Sequence, residues 1–203
     1  MSEHPSDKAS ARRQTGSRPG TRRPTGADEV RSAVVRAAAK RFAAEGPRTS
    51  LRDIAADADV NVGLIHRHIG NKDDLVRAVL AAQSRAGGRA IAKADDLDAA
   101  FRWMFGQLAT GGDYVRIIAW LLLDRAAGGD WDYQRDYDTV RALRAKLPEG
   151  EDDLPLMAAM AIVYGWAVFG DQLLDAFGKD PAERDGISER LGVVAARLAQ
   201  RSS

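Results

Sequence analysis

Two histidines, His66 and His68, flank Arg67 and precede Lys72 in the run TSLRDIAADADVNVGLIHRHIGNKDDL, residues 49–75. The chemistries open to such a cluster are metal ligation, acid–base catalysis and recognition of an anion. Metal ligation fails on geometry: ligands on one helical face come at i, i+3 or i+4, and an i, i+2 pair on a helix points about 160° apart. Catalysis lacks its partners, because the chain has no cysteine, no glycine-rich phosphate loop and no Ser-His-Asp arrangement that neighbouring helices would bring together. The carboxylate pairs Asp73-Asp74, Asp95-Asp96 and Glu151-Asp152 fall at expected helix starts, where the helix dipole favours them. No metal, no cofactor and no enzymatic activity are therefore expected. Recognition of an anion remains, with a purely structural role for the histidine pair as the plainer alternative.

The elements that must position these side chains are short helices. Val30, Val34, Ala38 and Phe42 recur at helical spacing from Asp28 until Gly46-Pro47 ends the run. A second helix starts at Thr49 or Ser50; with Ser50 as cap, Asp53 stands where a capping-box partner belongs. A third starts at Asn61 and a fourth is capped by Asn71, with Asp74 three residues on. Ala55 is small enough for two helices to cross closely, and Asp59 stands where the chain must turn sharply. Ile65, helped by Ile54, Val60 and Ile69, packs back underneath. That spacing is a helix-turn-helix, whose second helix lies in the major groove of DNA. Glycine would be easiest at the turn, although aspartate tolerates the left-handed region better than most residues.

The third helix then leaves Asn61, Val62, Gly63, His66, Arg67 and His68 facing mostly outward. Arg67 suits guanine, Asn61 a base or phosphate, and Val62 a thymine methyl, while Lys72 sits in a first helical turn that already favours phosphate.

Around this head the chain divides into three. Residues 1–27 hold six Lys and Arg against two acids and almost nothing apolar, which predicts a disordered basic arm, either a solvated tail or a DNA-contacting arm. Residues 28–80 form the DNA-binding head. Residues 81–203 carry an acidic balance and five further stretches of helical periodicity, 95–110, 113–127, 131–147, 153–177 and 183–200. No stretch alternates with period two, so the fold expected is all-α. At 45% hydrophobic and 29% charged the chain is not a disordered protein. The opening residues are too polar for a secretory signal. Leu154–Gly170 offers roughly 17 residues against the ~20 that span a bilayer and reads as a buried helix. No membrane partner is expected, and a cytoplasmic location is.

The segment RTSLRDIAADADVNVGLIHRHIGNKDDLVRAVL, preceded by a helix containing Phe42 and the Glu45-Gly46 turn, resembles the N-terminal domain of TetR-family transcriptional regulators. The resemblance covers about residues 27–80; the body resembles the family only in length and helical character. It implies phosphate contacts from Thr49 and Ser50, with Arg52 the following basic position and Lys72 the lysine opening the fourth helix. His66 stands where the family has tyrosine, and His68 where it has histidine or tyrosine. It also implies a homodimer on a double-stranded, palindromic operator, its last two long helices pairing with their symmetry mates. Ala158, Ala161 and Gly165 would permit close approach, and Ile187, Leu191, Val194 and Leu198 would supply apolar area; the alternative is that both stripes face their own core. A small hydrophobic or aromatic effector is implied in the body, where Trp103, Tyr114, Trp120, Trp131, Tyr137, Tyr164 and Trp166 are candidates to line a pocket. The family's habit is repression. The competing reading is a helical ligand- or protein-binding dimer without sequence-specific DNA binding.

Overall fold

The computed structural model describes residues 24, 26–109, 113–126 and 137–200. All the regular structure among them is helical, as expected. The head comprises α1 (Ala27–Glu45), α2 (Leu51–Asp57), α3 (Val62–His68) and the first half of α4 (Lys72–Lys93). The body adds α5 (Leu97–Ala109), α6 (Asp113–Ala126), α7 (Asp138–Arg144), α8 (Leu154–Ala176) and α9 (Arg184–Ala199), the last entered through a 3-10 turn at Pro181–Glu183. Trp131 and, of the arm expected over residues 1–27, residues 1–23 and 25 lie outside the described residues, while Ala27 opens α1.

Helix α1 stops at Gly46, which takes φ +79° while its N–H donates to the Phe42 carbonyl at 3.0 Å. That positive φ suits glycine alone among common residues. The four residues whose spacing marked this helix, Val30, Val34, Ala38 and Phe42, are all buried. They join Ile54, Ala55, Ile65, Leu75 and Val79 in one core, where each large side chain contributes about 1.5–3 kcal/mol on burial. Arg41 ties α1 to α2 through a two-toothed grip on Asp57 (2.6 and 3.0 Å) and a bond to Glu45 (2.8 Å). Those bonds, the Asp57 one foremost, raise the Arg41 pKa and hold Asp57 below the usual carboxylate range.

Position 80, where the sequence suggests the head ends, falls within α4, which runs unbroken to Lys93. The head core also takes in Ile117 and Leu121 from α6. A second core joins Ile91 of α4 to Phe101 and Phe105 of α5, Leu143 of α7 and the inner faces of α8 and α9.

Two close crossings order the body. Gly87 and Gly88 of α4 receive α7 so tightly that a Cβ on Gly88 would lie 2.7 Å from Asp138 Cβ and 3.1 Å from its carbonyl carbon. Helix α9 turns Ser188, Gly192, Ala195, Ala196 and Ala199 inward, chiefly toward α5 and α8. The apolar stripe read from the sequence is therefore rotated off the contact: Ile187, Leu191 and Leu198 are half-buried and Val194 is exposed. Close approach of α5 selects small residues on the inner face, which hydropathy alone does not rank as the core face. Between α8 and α9 the Trp166 Nε1–H donates to Ser188 Oγ at 2.8 Å, and Ser188 donates to the Arg184 carbonyl at 2.8 Å. The Arg184 guanidinium lies 5.2 Å from the Trp166 ring centre and pairs with Asp171.

Helix α8, expected to be buried, is only half so. Over 23 residues it is long and apolar enough to cross a membrane. Leu156, Ala159, Met160, Val163, Trp166, Ala167, Gly170 and Leu174 face the core, while Leu154, Met157, Ala161, Tyr164, Phe169 and Leu173 are exposed. No charged residue interrupts Leu154–Gly170.

Candidate nucleic-acid interface

The turn that sets α3 against α2 is made at Asp59, whose φ of 52° makes it the sole non-glycine residue with positive φ among the described residues. Val60 N–H returns to the Ala55 carbonyl at 3.0 Å, closing the turn over the small residue at the crossing. Ile65 is fully buried beneath it.

Helices α2, α3 and α4 each begin on a side-chain cap. Ser50 caps α2: its Oγ accepts from Asp53 N–H at 3.2 Å and donates to the Asp53 carboxylate at 2.6 Å. Asn61 Oδ1 accepts from Leu64 N–H at 2.9 Å. Asn71 and Asp74 exchange bonds of 2.9 Å at the start of α4. Asp74 is held below the usual carboxylate range, first by Arg77 and then by the Asn71 N–H.

Capping and packing divide the sequence candidates. Thr49 is only 7% exposed, and its hydroxyl lies 3.1 Å from the Gly46 carbonyl and 3.2 Å from the Glu45 carboxylate. It is thus spent within the α1–α2 turn, whereas Ser50 and Arg52 are exposed. On α3, Gly63, His66 and Arg67 share the exposed face, next to the exposed cap Asn61. Val62 does not point away: it is half-buried against the head core, because Ile65 and Ile69 pull that side of the short helix down. His68 is half-buried on the other side, and its carbonyl accepts from Arg31 Nη1 at 3.1 Å. The two histidines therefore diverge, and no metal-ligating cluster occurs among the described residues.

Lys72 is half-buried in the first turn of α4, and its pKa is lowered, mainly by burial. Asp73 opposes that shift, while the positive charge of Arg48 adds to it. Sequence reasoning passed over Arg48, since nothing local marks it; its importance lies in a partner 76 residues away, Asp124.

The described aromatic side chains proposed for an effector pocket are spread over both cores and the surface. Tyr114 packs against the head core and Trp103 against the body core. Trp120 is exposed beside Gly46, Tyr137 and Tyr164 are exposed, and Trp166 is buried between α8 and α9. Two open grooves flank α7 instead. One, of about 520 Å³, is lined by Arg85, Gly88, Arg89, Ala92, Asp138 and Arg141; the other, of about 470 Å³, includes Arg144, Leu147, Pro148 and Glu151.

An exposed, basic second helix on a capped turn, carried by a long fourth helix into a helical body, defines a helix-turn-helix DNA-binding regulator. Residues 34–79 match the bacterial regulatory proteins of the tetR family. An HTH-type transcriptional repressor of Mycobacterium tuberculosis is 34% identical over 194 residues, covering 90% of this chain and 97% of that protein. An HTH-type transcriptional regulator of Mycobacterium bovis matches to the same extent. The fold is also that of a tetR-family transcriptional regulator from Streptomyces coelicolor, with a TM-score of 0.58 at 17% identity over 86% of this chain and 82% of that one. The chain belongs to the tetR family, a family of transcriptional regulators rather than enzymes.

Proposed function

We propose that this protein is a cytoplasmic repressor that binds a near-palindromic operator as a homodimer and is released by a small organic effector. The observation that carries the operator reading is the exposed Gly63-His66-Arg67 face of α3, together with the exposed Ser50 and Arg52 at the start of α2 and the half-buried Lys72 at the start of α4. Gly63 lets the helix approach base edges, Arg67 reads guanine, and Ser50, Arg52 and Lys72 position the head on phosphates. Thr49 acts indirectly, by fixing the turn that presents Ser50.

One head presents too little surface for tight specific binding, so two are needed. The outer face of α8 from Leu154 to Gly170, which carries no charged residue, supports with Val194 of α9 a dimer built on those helices. Ala158, Ala161 and Gly165 lie on that face. Repression is the role named for the Mycobacterium tuberculosis relative. Near-complete release by an effector requires about 5.5 kcal/mol of differential affinity between the two body states.

The test is selection of binding sites from a random DNA pool, with an Arg67→Ala, Lys72→Ala variant in parallel. Enrichment of a palindrome by the wild type alone is expected. A well-folded dimer that enriches nothing would instead favour a ligand- or protein-binding role.

A further inference from the structure

Arg48 sits in the turn between α1 and α2, two residues before the Ser50 cap. It reaches out of the head to α6, with Nη2 2.7 Å and Nε 3.2 Å from Asp124 Oδ1. Both bonds fall on one carboxylate oxygen, so the pair lacks the parallel fork that makes an arginine–carboxylate contact strong. The two partners are unequally held. The Arg48 side chain is 82% exposed and that of Asp124 only 13%. Asp124 belongs to a helix anchored in the head core by Ile117 and Leu121, with the Trp120 ring so close that a Cβ on Gly46 would lie 3.2 Å from it. The arginine is the partner that can leave.

Its other neighbour in charge is Lys72. The Arg48 charge thus reaches the first turn of α4, where it acts on Lys72 against the larger, opposite effect of Asp73. Arg41 and Arg77, by contrast, are paired with carboxylates of the head itself.

We propose that Arg48 is a DNA-phosphate ligand of the head and that Asp124 competes with the phosphate for it, so that an ion pair to the body limits operator affinity. This rests on the operator-binding reading above. The pair is solvated on its Arg48 side but not on its Asp124 side, so releasing the arginine has a desolvation cost, whereas a phosphate contact gains from counterion release at low salt. The exchange from Asp124 to phosphate is therefore most favoured at low salt and loses its drive as salt rises.

The experiment uses the full chain and its selected operator, with affinity measured across salt for the wild type, Arg48→Gln, Asp124→Asn and the double variant. Arg48→Gln should flatten the slope of log affinity against log salt by about 0.9 per head, about 1.8 per dimer. Asp124→Asn should tighten binding by at least about 2-fold per dimer, with the wild-type slope kept. The double variant should behave as Arg48→Gln. An unchanged slope in Arg48→Gln overturns the proposal even if Asp124→Asn unfolds, and a folded Asp124→Asn that binds no tighter overturns the competition. A wild type that enriches no site would refute the operator reading instead.

Discussion

Replacing Gly88 by alanine sets two opposing effects against each other. In a helix interior, alanine is favoured over glycine by about 0.8–1.0 kcal/mol. At Gly88, however, the new methyl would stand 2.7 Å from Asp138 Cβ, 3.1 Å from its carbonyl carbon and 3.2 Å from its carbonyl oxygen. Two of those atoms are backbone, so no rotamer change relieves the clash, and α4 and α7 must separate. Overpacking of this kind costs about 1–3 kcal/mol. The net expectation is a loss of up to about 2 kcal/mol. Gly106 in α5 is the internal control, because nothing lies within 4 Å of its missing Cβ. Gly106→Ala should gain about 0.5–1 kcal/mol. Urea denaturation followed by circular dichroism, at one protomer concentration for all variants, reads the difference. A Gly88→Ala protein as stable as Gly106→Ala would refute the close α4–α7 crossing.

Ser188→Ala leaves the buried Trp166 N–H without its acceptor and should cost about 1–3 kcal/mol, read from thermal melts. Asp59→Val places a β-branched residue at φ 52° and should cost about 1–3 kcal/mol in the same assay, with loss of operator binding before loss of helical signal. Asp57 and Asp74 both titrate lower folded than unfolded, so their stabilisation is complete above about pH 4 and disappears as pH falls through the folded values. Asp57→Asn should accordingly flatten the acid limb of the stability curve below about pH 4, and a limb identical to wild type would count against the Arg41 contact.

The head was readable because its signals are local. Ser50, Asn61 and Asn71 each act on a backbone N–H three residues ahead, and the interval from Ala55 through Asp59 to Ile65 is a distance along the chain. What escaped depends on partners far away. Thr49 looks like a phosphate ligand until the Gly46 turn folds back onto its hydroxyl. The inner face of α9 is chosen by the approach of α5, which rewards Gly192 and Ala195 over the larger Ile187 and Leu191. The outer stripe of α8, with Leu154, Met157 and Phe169, cannot be told from its inner one by periodicity, because both faces are apolar. Indole and phenol side chains suggest a pocket by type, but only the packing of α5, α6 and α8 decides where each goes.

That Ile117 and Leu121 complete the head core bears on engineering. A chimera that grafts this reading head onto a foreign body by cutting within α4 would leave an apolar hollow over α1 where α6 had lain. Each missing branched side chain forfeits about 2–5 kcal/mol, a large share of what holds a small domain together. On the operator reading proposed above, specificity would be swapped by changing Gly63, His66 and Arg67 in place, or by transplanting the head together with α6. The reading head is not an exchangeable cassette, and its tolerance to recombination is set by a helix some forty residues beyond its apparent end.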